Sequence, residues 1–328
     1  MTLRTALWWI AVAALLGASA LAKAQSPGKT HRVGLLSVGT DSKNPTRQKP
    51  FFDALRELNY VEGRNLVVTR GFGDGKFERL PALIDEMVRA KVEVIVTTGN
   101  REILALRKAN VSLPIVMMFV DDPVAEGFVH SLARPGGNIT GLTNLVPGLS
   151  QKYVELLREV LPKADRFAVV HSPPLPRPHA RKDFEAAAQT LKTGISIVQV
   201  SGPNEYDDAF AGAIKAGADG IIAPMDGNTF ANRKALVAAA LKHKLPAIYG
   251  DRSYVDAGGL MSYSAPQTHR LQRAAVYVDK ILRGANPAEL PVEQPTRFEL
   301  VINMKTAKVL GITIPRSLLV RADEVIDK

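Results

Sequence analysis

Residues 89–119 read RAKVEVIVTTGNREILALRKANVSLPIVMMF, and residues 215–249 read KAGADGIIAPMDGNTFANRKALVAAALKHKLPAIY. The two stretches share one order of parts. In the first, a helix ends at Arg89-Ala90-Lys91, an apolar run follows, a second helix comes next, and Leu113-Pro114 opens the run at Ile115. In the second, Lys215-Ala216-Gly217 ends a helix, Gly220-Ile221-Ile222-Ala223 is the apolar run, and Leu245-Pro246 opens Ala247-Ile248-Tyr249. Each Leu-Pro pair stops a helix and starts a strand, because proline disfavours helix before it and sits at a strand's first position.

Outward from this echo, short β-branched runs keep alternating with stretches of helical period. Strands are predicted at 32–36, 65–70, 92–97, 115–119, 139–142, 166–171, 196–200, 220–223, 247–249, 260–262 and 298–302. Helices are predicted at 48–58, 77–90, 103–109, 149–161, 180–191, 206–216, 229–243 and 266–282. Continuous apolar strands followed by amphipathic helices belong to parallel sheets covered on both faces, so the fold class is α/β. The chain has 328 residues, more than one core usually organises. Two Rossmann-like lobes of similar build are expected, one from 30–144 plus 252–292 and the other from 145–251 plus 293–328. Crossings near 143–149, 250–256 and 290–296 then form a three-segment hinge that can close.

Residues 1–24 stand apart. Arg4 precedes the apolar run ALWWIAVAALLGASAL, and Ala22-Lys23-Ala24 supplies a small-x-small cleavage pattern, so this segment is read as a signal peptide. The run is short for a bilayer span, which takes ~20 apolar residues. No later stretch matches it, and a soluble mature protein is expected. Cysteine is absent, which removes disulfides, thiolate nucleophiles and a lipidated cysteine. Export without a lipid tether points to a Gram-negative periplasm.

The formal net charge is +10, and it falls by two when the leader is removed. The bases are dispersed beside acids on predicted helices, among them LIDEMVRAK, YVELLREVLPK and the C-terminal ADEVIDK. Without a basic run carrying aromatics, nucleic-acid binding is not expected. Gly71-Phe72-Gly73-Asp74-Gly75 lacks the Lys-Ser/Thr pair of a phosphate loop. The six histidines never fall at i, i+4 on one helix, and no G-x-S-x-G elbow occurs, so neither a metal site, a cofactor nor a hydrolase triad is expected.

Ligands of open parallel sheets sit beyond the carboxyl ends of the strands. In the first half those ends offer Ser37, suited to a carboxylate, and Thr98 and Asn100 at a helix N-terminus that favours an anion. Thr98 or Asn100 serves equally as an ordinary N-cap. Asp121 suits a ligand ammonium, while Asp122 suits a cap for a helix starting at Pro123. In the second half the ends offer Ser172, Asp226, Asn228 and Tyr249. Tyr249 either stacks on a flat ligand or packs at a lobe edge. Ser262 and Tyr263 return the chain to the cleft, where Tyr263 would form part of its wall.

Five stretches carry a resemblance to a known family: SLARPGGNITGLT at 131–143, LPAIY at 245–249, AGGLMSY at 257–263, RAAVYVDKIL at 273–282 and LPVEQPTRFELVIN at 290–303, continued by KTAKVLGITIP at 305–315. They resemble the ABC transporter substrate-binding proteins of the tryptophan- and tyrosine-binding group. The resemblance implies a type I periplasmic-binding-protein fold, a solute closed between the lobes, and a membrane permease with its ATPase as partner. It implies no enzyme. Capture by closure is expected, with a monomer taking an amino acid or another small polar solute. A periplasmic sensing subunit and an exported α/β enzyme are the alternatives for the same cleft.

Overall fold

The computed structural model describes residues 29–39, 45–120, 122–172 and 178–327. The expected leader and the candidate Asp121 lie outside them. The first unit runs β1 (His31–Ser37), α1 (Lys49–Glu57), β2 (Leu66–Phe72), α2 (Leu80–Arg89), β3 (Val94–Thr97), α3 (Asn100–Lys108), β4 (Ile115–Val120) and β5 (Ile139–Thr143). Its five strands are parallel in the order β2-β1-β3-β4-β5.

The second unit runs α4 (Leu149–Val160), β6 (Arg166–His171), α5 (Pro178–Leu191), β7 (Gly194–Gln199), α6 (Tyr206–Lys215), β8 (Gly220–Ala223), α7 (Gly227–Ala231), α8 (Arg233–Lys242), β9 (Ala247–Tyr249), α9 (Arg252–Asp256) and β10 (Met261–Ser264). Its sheet has the order β12-β11-β10-β9-β8-β6-β7. Strands β7-β6-β8-β9-β10 repeat the order of the first sheet, so the echo between the halves is a repeat of topology. Strand β11 (Glu299–Asn303) joins antiparallel to β10, and β12 (Glu324–Ile326) joins parallel to β11.

Both sheets are covered on both faces, which is why their strands read as apolar runs. One face of the first sheet packs Val33, Val94 and Val116 under Phe51, Leu55, Tyr277 and Val278, and the other packs Ile95, Ile115 and Met117 against Ile84, Met87, Ile103 and Leu106. The second sheet is sandwiched alike, with Phe167, Val169 and Ile222 under Leu157, Phe184 and Leu318, and Ala168, Ile221 and Ala247 under Phe210, Leu236 and Val237.

Helix α10 (Gln267–Leu282) leaves the second sheet and returns to the first, where it packs on α1. The chain then runs beside β5, with Thr143 N–H donating to the Glu293 carbonyl at 3.0 Å and Glu293 N–H donating to the Gly141 carbonyl at 2.9 Å. It crosses back to β11, α11 (Met304–Leu310), α12 (Arg316–Arg321) and β12.

Three expectations change. Residues 252–264, read as part of the first lobe, belong to the second sheet, because β10 pairs with both β9 and β11. The turn-rich GDRSY stretch resembles a crossing, yet Asp251 caps α9 by accepting from Ser253 N–H, and the chain stays in the same lobe. The C-terminal ADEVIDK, expected on a helix, contains β12; parallel pairing with β11, Val301 beside Glu324, decides it. The helix expected at 229–243 is divided at Asn232, whose amide donates to the Asn228 carbonyl at 3.1 Å and competes with the helical ladder.

Among the described residues, no helix is long and apolar enough to cross a membrane.

Candidate functional site

In both sheets the strand order reverses beside the first strand of the unit, the place where open α/β sheets bind ligands. In the first lobe that point joins the tips of β1 and β3. Ser37 Oγ accepts from Gly39 N–H and lies 3.0 Å from Thr98 Oγ1. Thr98 Oγ1 is also 2.7 Å from Glu102 Oε1, which accepts the Val38 N–H at 2.8 Å. Glu102 is 4% exposed. Burial pushes its carboxyl pKa up, against the pull of the Val38 N–H and the Thr98 hydroxyl.

Glu102 sits in the first turn of α3, so the protein's own carboxylate complements that helix N-terminus. The anion expected at Thr98 and Asn100 has an internal substitute. Ser37 and Thr98 are brought together, but as ties between two loops. Asn100 is the first residue of α3 and half-buried. Asp122 Oδ1 accepts the Ala125 N–H at 3.0 Å and so caps the turn that follows β4.

In the second lobe the corresponding point joins the tips of β6 and β8. Asp226 caps α7 by accepting from the N–H groups of Asn228 at 2.9 Å and Thr229 at 3.0 Å. The same Oδ1 accepts the Ser172 hydroxyl, and Oδ2 lies 3.7 Å from His171 Nδ1. All three side chains are buried. The carboxylate stands between hydroxyl and imidazole, whereas activation of a serine nucleophile places the imidazole in the middle. Asn228, in the first turn of α7, donates to the Ser201 carbonyl at 2.8 Å and so ties that helix to the loop after β7.

Tyr249 does not reach the cleft. It is 1% exposed, stacked on Tyr254 with centroids 4.9 Å apart, and burial pushes its hydroxyl pKa far up. The close approach needs glycine at 259, where a Cβ would lie 2.6 Å from the Tyr249 ring. Ser262, beside Tyr249 in the sheet, is fully buried as well. Tyr263 stacks on Phe298 at 5.3 Å, and Phe298 is the ring that faces the cleft.

A cavity of about 370 Å³ lies between the lobes. Asp122, Ala125, Glu126 and Arg270 line it from the first lobe. Ser150, Tyr153, His171, Asp183, Phe184, Met225 and Ser264 line it from the second. All three crossings border it, through Asn144, Leu145 and Val146, through Ala265, and through Pro295 and Phe298. The volume falls within the ~300–1,000 Å³ of small-molecule sites, and so does the composition, an apolar wall with a few polar groups.

The Arg270 guanidinium donates to Asn144 Oδ1 and lies over the Phe119 ring at 5.3 Å. Charge of both signs therefore faces one aromatic and aliphatic chamber. Sequence reasoning missed Arg270, Tyr153, Asp183 and Phe184 because they sit on helices whose buried faces look like core. Asn144 to Val146 lie in the turn-rich stretch already read as a crossing, which was a usable signal. Among the described residues no cluster of His, Asp or Glu is arranged to hold a metal.

A family model described as ABC transporter substrate binding protein matches residues 36–326. A curated relative, the "Tyrosine-binding protein" of Clostridioides difficile (strain R20291), is 22% identical over 286 residues, covering 87% of this chain and 82% of the relative. A conserved domain protein from Vibrio cholerae superposes with a TM-score of 0.83 at 27% identity, covering 90% of this chain and 100% of that one. An ABC domain from Streptococcus pneumoniae solved with L-Trp superposes at 0.83 with 25% identity, covering 91% and 100%. A ligand-free, open substrate-binding protein from Clostridium difficile superposes at 0.68 with 20% identity, again covering 91% and 100%.

Proposed function

Because the chain belongs to the ABC transporter substrate-binding protein family, we propose that it captures an amino acid with a large apolar side chain in the interlobe cleft and delivers it to a membrane permease driven by an ATPase. One observation carries this reading: a single cavity of about 370 Å³ is built by both lobes and all three crossings. A solute inside it touches every part that moves when the lobes rotate, so its binding energy favours the closed arrangement.

The lining chemistry fits a zwitterion. The Arg270 guanidinium suits a carboxylate, and Asp122, Glu126 and Asp183 suit an ammonium. Tyr153, Phe184, Met225 and Phe298 supply the surface for a flat apolar side chain. Among the residues first read from strand ends, Ser172 and Asp226 act through His171, whose ring borders the cavity. The relatives that carry a tyrosine-binding name or hold L-Trp support the aromatic choice. Residues 1–24 export the chain to the periplasm, where it works as a monomer without a cofactor.

Calorimetry with L-tryptophan, L-tyrosine, tryptamine and indole-3-propionate tests the reading, together with small-angle scattering of each mixture. The two amino acids are expected to bind and to compact the protein, with no product formed. Tryptamine lacks the carboxylate and indole-3-propionate the ammonium, so both bind at least tenfold more weakly. Tight binding without compaction overturns closure; equal binding of all four compounds overturns the zwitterion.

A further inference from the structure

Outside the cavity a second contact joins the lobes. Arg47 lies in the 3₁₀ turn just ahead of α1, on the first lobe, and its guanidinium carbon sits 4.5 Å from the ring centroid of Phe230 on α7, in the second lobe. Neither residue lines the cavity. The Phe230 ring is 7% exposed and packs edge-on against Tyr254 at 6.0 Å. Arg233 of the same lobe also lies over it, at 4.9 Å. A cation held over a desolvated ring is at the strong end of such contacts.

We infer that Arg47 and Phe230 form a positioning pair that fixes the closed arrangement of the lobes, and so sets how long a solute is held, without touching it. The inference rests on the capture reading above. Separation of the lobes parts the guanidinium from the ring and opens the ring to water, so the pair adds to closure alone. The pair is also wired to the cavity. Asp226, which faces cavity-lining His171, caps α7, and its carbonyl accepts the Phe230 N–H at 2.8 Å. A solute that orders His171 thereby orders the helix carrying the ring.

The chain has no cysteine, so two introduced ones give clean spin labels. Glu86→Cys on α2 and Asp208→Cys on α6 are exposed positions on different lobes. Electron–electron double resonance then reads the interlobe distance in wild type, Arg47→Ala, Arg47→Lys and Phe230→Leu backgrounds, with and without L-tryptophan.

Arg47→Ala is expected to lengthen the distances and to weaken L-tryptophan about tenfold, the factor that 1.4 kcal/mol makes, through faster dissociation. Arg47→Lys keeps the charge but loses the planar fit, and recovers part of the effect. Combining Arg47→Ala with Phe230→Leu adds less than the sum of the two, as for residues in contact. Unchanged distances in Arg47→Ala, or strictly additive losses, overturn the pair. Should L-tryptophan fail to bind, the ligand reading falls, and the ligand-free distances decide alone: a shift in Arg47→Ala supports the pair and no shift overturns it.

Discussion

The buried carboxylate of Glu102 accepts the backbone N–H of Val38 at 2.8 Å and thereby ties the helix after β3 to the loop after β1, at the reversal point of the first sheet. Because burial raises its pKa, the folded chain holds a proton on Glu102 more readily than the unfolded chain. Its contribution to stability is complete below the unfolded value near 4.5 and is lost as pH rises through the folded value.

Glu102→Gln keeps an acceptor for Val38 and removes the buried charge. Its melting temperature at pH 7 is expected to rise by ~2–4 °C for about 1 kcal/mol, with little change at pH 4. Glu102→Ala leaves the Val38 N–H without its acceptor and costs ~1–3 kcal/mol. Thermal melts of both proteins across pH 4–8 decide; a Gln variant no more stable than wild type at pH 7 contradicts the assignment.

Arg270→Ala removes the cation proposed for the solute carboxylate. L-tryptophan is expected to bind ~10–100-fold more weakly, in line with ~1.5–3 kcal/mol for a charged hydrogen bond. Tryptamine, which has no carboxylate, should change little. Parallel titrations of the two compounds separate a lost contact from a collapsed cleft, which would weaken both.

Arg273 on α10 pairs with Glu293 beside the third crossing, Nε to Oε2 at 2.9 Å. Burial pushes Glu293 up, but the Arg273 hydrogen bond and charge outweigh it and hold the carboxyl below its ordinary value. The stabilisation is therefore present above the unfolded value near 4.5 and fades as pH falls through the folded one. Both groups are about a third exposed, and solvent screening keeps the loss in Glu293→Gln to ~1 kcal/mol or less at pH 7. Denaturant melts should show that variant converging with wild type below pH 4.

Gly250 lies where the tips of β8 and β9 approach closely. A Cβ there would stand 2.3 Å from Met225 N, and both residues line the cavity. Gly250→Ala is expected to cost ~1–3 kcal/mol by overpacking and to weaken solute binding with it. Gly202, whose Cβ would meet nothing within 4 Å, is the matched control. Equal urea midpoints for the two alanine variants would refute the close-approach argument.

The order of strands and helices was legible because burial on both faces forces continuous apolar runs, and because Leu113-Pro114 and Leu245-Pro246 mark two strand starts chemically. The α/β class, the duplication and the family all follow from such local features. Periodicity reports that a face is buried and stays silent about what covers it. Only the folded chain therefore decides that β10 continues the second sheet, that Glu324–Ile326 is a strand, and that Tyr249 stacks in a core. The same holds for Arg270 and Phe184: each rides a helix that looks like core packing in one dimension, and each meets the cleft only because the chain crosses between lobes three times.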